Sequence, residues 1–551
     1  MKRSHPSPPE RSEPPRRWRR GAIALVSAAA VVAAAGLSAV AAAPGLSASR
    51  AHARVLLVGS WHGHHGSFKT IQAAVDSAKP GDWILVGPGD YHERGDRERR
   101  YRSLAEQGAG VMITKPRIHV RGMDRNRVVV DGTKPGASRC SRAASDQDFG
   151  PRVGGKANGR DGVEVFKASG VSVENLTACN FLEGEGSSGN QIWFNFGDGS
   201  GRSVPGAFRG AYLNATSTYY ATGKPAASYG IFSSNSRGPG TFTRTYASNM
   251  NDSSYYIGAC SDCNQVLTNA HAQYSALGYS GTNAGGHLIV ENSEWDHNQS
   301  GIVTNSQNND DAPSPQLGVC PGSTNRSCTF FRNNYVHDNN NPNVPSAGSA
   351  ALGPVGSGII VSGGRFDTVT GNRVVNNGSW GILLVPFPDL GTPPPIAHCE
   401  GGTTHGPLPG CYYDDWANTV SHNTFTHNGF FGNPTNGDAG DISGQNTPGN
   451  CWFGNVNTNA TPITSEPPDI QSTHGTCGVP NQGAGPTSTL AAQVICANQL
   501  LGPCPPSPGM AYPRTTRVVM PPLPRGLRTM PNPCRGVPPN GFCTRAPRFT
   551  G

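Results

Sequence analysis

The 551-residue sequence predicts an all-β chain wound into a stacked solenoid. Three observations lead there. The composition is rich in turn formers and poor in charge, with 72 Gly, 47 Pro and only 15% charged residues, which disfavours a helical protein. A six-residue unit (polar, any, apolar, any, any, polar) recurs through the middle of the chain. Several copies lead within a few residues to an apolar run built around Gly-Ile, such as Gly301-Ile302-Val303, Gly358-Ile359-Ile360 and Gly381-Ile382-Leu383.

The N-terminal 53 residues read as a targeting segment. Arg16, Arg17, Arg19 and Arg20 precede an apolar, Ala-rich run from Gly21 to Ala43, the order of a secretory signal. Ala39-Val40-Ala41 and Ala51-His52-Ala53 offer cleavage points, and an uncleaved membrane anchor is the alternative. The expected location is secreted or cell-surface, with membrane contact only through this segment. The net charge of +8 is concentrated at the ends, +6 in residues 1–50 and +5 in 461–551, so the middle carries about −3. A basic face for nucleic acid is therefore excluded, and a monomer is expected.

A short helix follows. Phe68, Ile71, Ala74, Val75 and Ala78 share one helical face, with Ser67 as its expected N-cap. Pro80-Gly81-Asp82 turns into a strand at Trp83–Val86, and Gly87-Pro88-Gly89 turns again before Tyr91 and Glu93.

The six-residue unit appears at Asn175–Asn180, Ser248–Ser253, Asn269–Tyr274, Ser293–Asn298, Asn334–Asn339, Asn372–Asn377 and Asn423–Asn428. The copies at 248, 269 and 293 are 21 and 24 residues apart, and the later spacings lengthen to 41, 38 and 51, one coil plus an excursion. One such unit cannot bury its own apolar position, so coils must stack. Asn at the corners then forms amide ladders. Residues 461–551 hold 18 of the 47 Pro and show no coil pattern. They are expected to be a Pro-rich, Cys-containing spacer, partly disordered.

The stretch IQAAVDSAKPGDWILVGPGDYHE (71–93) resembles the N-terminal cap of the pectin-lyase-like right-handed parallel β-helix superfamily, in the form of an exported actinobacterial β-helix repeat protein of undefined activity. The later coils resemble its generic repeat. The resemblance spans about 55–460. It implies a single-stranded right-handed parallel β-helix over 54–460, and it leaves activity open among lyases, hydrolases, epimerases and non-enzymatic proteins.

Fourteen Cys in an exported chain point to disulfides. The close sequential pairs are Cys260–Cys263, Cys320–Cys328, Cys399–Cys411, Cys451–Cys477, Cys496–Cys504 and Cys534–Cys543, which leaves Cys140–Cys179. The Cys260-x-x-Cys263 spacing alone is weak evidence for zinc.

Excursions at 307–329 and 386–416 leave equivalent strands two coils apart, about 10 Å. Their shared corner would gather Asn305, Asn308, Asn309, Asp310, Asp311, Trp380, Asp389, Glu400, Tyr412, Asp414, Asp415 and Trp416. Carboxylates beside aromatic rings suit sugars, and paired acids suit glycosidic cleavage. Asp310, Asp311 and Asp415 are the candidate acids, and Arg365 is the candidate base of a lyase, since no Lys follows Lys224. Asn305, Asn309, Trp380, Asp389, Tyr412, Asp414 and Trp416 are candidate substrate contacts. Asp310 and Asp311 could instead hold Ca²⁺ or form an ordinary turn. No other cofactor is indicated. His271, His297, His337 and His427 fall within the repeat unit but not at one common position, and read as corner residues. The functional expectation is binding, and cleavage, of a polysaccharide or cell-wall glycan at 301–416. The alternatives are a non-catalytic glycan-binding rod and, following the resemblance, an envelope helper of metal-centre assembly.

Overall fold

Each turn of the chain lays down three short strands, and each of these pairs in parallel with its equivalent one turn away. The structure, a computed structural model, describes residues 53–94, 108–184, 189–197, 200–308, 328–389, 399–406, 410–444, 448–459, 462–480, 488–499 and 510–543. Sheet 1 holds twelve strands, from Val55–Val58 to Cys451–Phe453. Sheets 2 and 3 hold eleven each, from Gly89–Tyr91 to Val456–Asn457 and from Gly108–Ile113 to Ser465–Glu466. One representative coil contributes Leu288–Glu291, Glu294–Asp296 and Ser300–Asn305 to the three sheets in turn. The fold is the right-handed parallel β-helix.

Columns of inward side chains make the core. In sheet 3, Ile192, Ile231, Tyr255, Tyr279, Ile302, Ile359, Ile382 and Ala439 stack rung on rung, all fully buried. In sheet 2 the column runs Val130, Ala178, Ala215, Ala247, Ala272, Trp295, Val336, Val374 and Phe425. Small and large alternate across the interior. Alanines in sheet 2 leave room for Tyr255 and Tyr279 in sheet 3, whose rings meet Trp295 edge-on at 5.7 and 6.1 Å. Such interdigitation keeps the interior at crystal-like density. The Tyr255 hydroxyl donates to Thr245 Oγ1 at 3.0 Å, so it is not buried without a partner.

This column corrects the expected repeat register. The copies beginning at Asn175 and Asn269 start one residue early, because the inward residues are Ala178 and Ala272, not Thr177 and His271. The copy at Ser248 starts after its inward residue, Ala247. Alanine is a weak hydrophobic marker, and the polar neighbour was read in its place.

The corner Asn residues form the expected ladders. Asn334 Nδ2 donates to Asn372 Oδ1 at 3.0 Å, Asn372 to Asn423 at 2.9 Å and Asn423 to Asn455 at 2.9 Å. A second ladder joins Asn298, Asn339, Asn377 and Asn428. Neighbouring corner residues such as Asn292, Asn333 and Asn376 take positive φ, which Asn tolerates better than most residues.

The cap helix runs Ile71–Ser77 and buries Ile71, Ala74 and Val75 as expected. Its N-cap is Thr70 rather than Ser67, because Phe68 is already committed to a bridge with Val58. The Glu93 carboxylate accepts from the Ile71 and Gln72 amides at 2.5 and 3.1 Å, satisfying two open helix donors.

The C-terminal segment departs most from expectation. The solenoid continues past 460 through Ser465–Glu466 and is closed by the helix Ile470–Thr473. The helix Ser488–Cys496 seats Leu490 in a cluster with Ile360, Trp380, Leu383 and Tyr512. Residues 510–543 then run back towards the first coils as an extended strap rather than a free spacer. Val519 N donates to Asn343 O at 2.8 Å, Asn249 Nδ2 to Pro521 O at 2.9 Å, Asn126 Nδ2 to Leu527 O at 2.7 Å and Arg121 to Pro533 O at 2.9 Å. Phe542 ends against Leu85 and Met123. An extended Pro-rich chain has no internal hydrogen bonds, so solenoid side chains satisfy its carbonyls.

Five expected disulfides are present: Cys140–Cys179, Cys260–Cys263, Cys399–Cys411, Cys451–Cys477 and Cys534–Cys543. Cys328 and Cys496 are also disulfide-bonded, and their expected partners Cys320 and Cys504 lie outside the described residues. Among the described residues, no helix is long and apolar enough to cross a membrane.

Candidate functional site

Sheet 3 sets Ser300–Asn305, Ser357–Ser362 and Trp380–Val385 on successive rungs. The two excursions therefore do leave one corner. Phe387–Asp389 pairs antiparallel with Cys411–Tyr413, and Asp389 accepts the Asn308 backbone N–H at 2.7 Å. Asn308, Asp389 and Tyr412 are thus brought together. Asn309, Asp310 and Asp311 lie outside the described residues, and so does any Ca²⁺ site built from them.

Most remaining corner residues are occupied by structure. Trp380 is fully buried, and its indole N–H donates to Thr435 O at 2.8 Å. It lies beneath Leu490 and Tyr512 and is not a sugar platform, because the tail helix covers it. Asp415 is also fully buried. Its Oδ2 accepts from Asn450 Nδ2 at 3.1 Å. Burial, and then the Asp441 and Asp414 carboxylates, push its pKa well above the usual carboxylate range, so it is a core acid rather than a reachable catalytic one. Asp389 is buried with Oδ2 taken by the Asn308 amide, and Asn305 Oδ1 takes the Thr282 hydroxyl at 2.7 Å. Asp414 Oδ1 takes the Gly444 amide at 3.2 Å. Arg365 lies 4.6 Å over the Trp416 ring and donates to Gly401 O at 2.5 Å. Burial lowers its pKa to about 10, against the pull of Asp414. Trp416 is clamped between this guanidinium and the Phe366 edge at 5.4 Å.

A denser constellation lies on the outward face of sheet 2. Strand pairing stacks His271, Glu294, Tyr335 and Arg373 in one row, with Gln273, Asp296 and His337 in the next. Asn269, Asn292, Ser293 and Asn333 complete a pocket of about 460 Å³ around the first row. His271 Nε2 meets Asp296 Oδ1 at 2.6 Å, and His271 Nδ1 is 3.9 Å from Glu294. His337 Nε2 meets Glu294 Oε1 at 3.2 Å, and its Nδ1 meets Asp338 at 2.7 Å. His297 also donates to Asp296, and Gln273 does so at 2.6 Å. Tyr335 stacks on His337 at 3.8 Å, and Arg373 lies 4.5 Å over Tyr335.

The protonation pattern follows from these contacts. Burial would raise Asp296, but donors from His271, His297 and Gln273 outweigh it and hold its carboxyl far below the usual range. The His337 hydrogen bond lowers Glu294. Asp296 raises His297. Burial opposes the charge on His337, yet Glu294 and Asp338 raise its pKa on balance. An ionised Asp296 can only accept, so His271 carries its proton on Nε2 and turns Nδ1 towards Glu294. His271 and Glu294 keep 30% and 45% of their side-chain surface, enough for a ligand to reach them.

Sequence reading missed this cluster because it aligned the copies on their Asn residues. Aligned on Ala272, Trp295 and Val336, the flanking positions His271, Glu294 and Tyr335 fall in one outward row.

The class defined by fold and site is a right-handed parallel β-helix protein with an acid–base cluster on an outward sheet. No protein-family profile matches the chain, and no curated protein does. Similar solved structures include the A-module of an Azotobacter vinelandii mannuronan C-5 epimerase, at 12% identity and TM-score 0.39, over 70% of this chain and 90% of that one. A mannuronic acid-specific polysaccharide family 6 lyase from human gut microbiota matches at 12% identity and TM-score 0.38, over 73% and 80%. The tailspike protein of E. coli bacteriophage HK620, in complex with a pentasaccharide, matches at 12% and TM-score 0.39, over 70% and 62%. At such identity the likeness is one of architecture, and the activity has to be read from this chain's side chains.

Proposed function

We propose that this protein binds an acidic polysaccharide across the outward face of sheet 2 and cleaves it by elimination at the His271–Glu294–Asp296–His337 cluster. The observation that carries this reading is the pairing of two histidines with two carboxylates on one strip of the sheet, beside a pocket lined by His271, Glu294 and Tyr335. A glycosidase of the two-carboxylate kind needs one carboxyl protonated as general acid, whereas both acids here are held towards the ionised form. A uronate instead asks for positive charge, which His337, His297 and Arg373 supply.

In this reading Asp296 fixes the tautomer of His271, whose Nδ1 takes the proton next to the sugar carboxylate. The electron pair forms the double bond, the bond to the leaving oxygen breaks, and that oxygen takes a proton from groove water. Export through the N-terminal segment agrees with the disulfides.

The test is an assay of the full chain on uronate-containing and neutral polysaccharides, following unsaturated-uronate absorbance and reducing ends. Absorbance growth on acidic glycans alone, abolished by His271→Ala, is expected. Reducing ends without absorbance would replace elimination by hydrolysis. Binding without turnover would leave the glycan-binding rod.

A further inference from the structure

The structure assigns a second cluster on sheet 2 to a bound divalent transition-metal ion, held by Asp90, His92 and Asp131 on the first two rungs. One ligand atom from each of these three residues lies within 4.8 Å of the other two, close enough to share one ion. They stand far along the sheet from His271 and Glu294, with several coils between.

The second sphere is already built. His92 Nδ1 lies 2.9 Å from Thr133 O. A carbonyl can only accept, so Nδ1 carries the proton. In the neutral imidazole, Nε2 then presents a lone pair, 3.5 Å from Asp90 Oδ2. Asp131 is fully buried and oriented by three donors: the Thr133 amide at 2.8 Å, the Thr133 hydroxyl at 2.7 Å and the Cys140 amide at 2.5 Å. Such anchoring of imidazole and carboxylate is what fixes ligands around a metal. The Cys140–Cys179 disulfide ties the same loop to the next rung.

Asp90, unlike Asp131, is short of donors. Asp90 Oδ1 is shielded from water and has no hydrogen-bond partner. Two carboxylates and an imidazole lone pair thus converge, with Arg139 as the cation acting on Asp90 beyond His92. Side-chain exposures of 24% for Asp90 and 14% for His92 leave an entry path. One imidazole with two carboxylates suits a first-row dication such as Zn²⁺ or Mn²⁺ better than Ca²⁺, which prefers six or more oxygens.

The experiment is equilibrium dialysis of the chelator-stripped full chain against Zn²⁺ alone, with Co²⁺ absorbance as a second readout. Asp90→Asn and His92→Gln carry the test, since both residues face outward and are tolerable to folding. Each should remove one equivalent of zinc and abolish the Co²⁺ visible bands. Asp296→Asn, which alters the other histidine cluster, should leave both readouts unchanged. Full zinc stoichiometry in Asp90→Asn and His92→Gln would overturn the assignment. So would loss confined to Asp296→Asn, or a wild-type chain that takes up Ca²⁺ but no zinc.

Discussion

The corner at 301–416 and the outward face of sheet 2 hold the same kinds of residue, acids beside aromatic rings, yet they do opposite things. In the corner, Trp380 and Asp415 point into the protein and Asp389 is consumed by a backbone amide. On sheet 2, His271 and Glu294 point outward and are satisfied by Asp296 and His337 on the same face. The corner is made by loops, which must bury something to hold their shape. The sheet is held by its ladder, so its outward side chains are released from structural duty.

The sharpest way to break the comparison is Trp380→Ala. Truncating a buried Trp should cost about 3–5 kcal/mol, read as a lower denaturation midpoint, with glycan affinity unchanged. A loss of affinity at full stability would return Trp380 to the binding surface. His337→Ala should do the reverse, lowering turnover on the acidic glycan by about 100-fold with a stability change below about 1 kcal/mol. Next in size is Asn372→Ala, which leaves the Asn334 amide without its acceptor and should cost about 1–3 kcal/mol in chemical denaturation. Arg365→Ala removes the Trp416 stack and should cost about 0.5–1 kcal/mol, again without effect on turnover.

The smallest effect sharpens the electrostatic half. His297 and His337 are raised in the fold, so their contribution is complete below the unfolded value, about 6.5, and fades as pH rises through the folded value. Asp296 and Glu294 are lowered, so theirs is complete above the unfolded value, about 4, and fades as pH falls through the folded value. Thermal midpoints against pH should therefore be highest between these limits, and Asp296→Asn should flatten the profile. An unchanged profile in that variant would show the pairs to be solvent-screened.

Much of this was legible in residues. Val336, Val374 and Phe425 mark the inward column, and the Asn on either side mark the two ladders, because stacking repeats every identity in space. The close Cys pairs needed no structure either, since short separations bring them together wherever the chain turns. The helix at 71–77 was visible from its apolar face, but its cap was not, because the choice between Ser67 and Thr70 depends on where Phe68 is bound.

What the sequence alone determined is the β-helix itself, its laddered corners and five of its cysteine pairs. The first two depend on contacts between equivalent residues of adjacent units, and the close pairs on short separation along the chain. Only the tertiary structure decided that the tail straps the solenoid, that Trp380 lies under it, and that His271, Glu294 and His337 share a face. Those contacts join residues from different coils or opposite ends of the chain, and a one-residue error in register turns every side chain to the other side of the sheet.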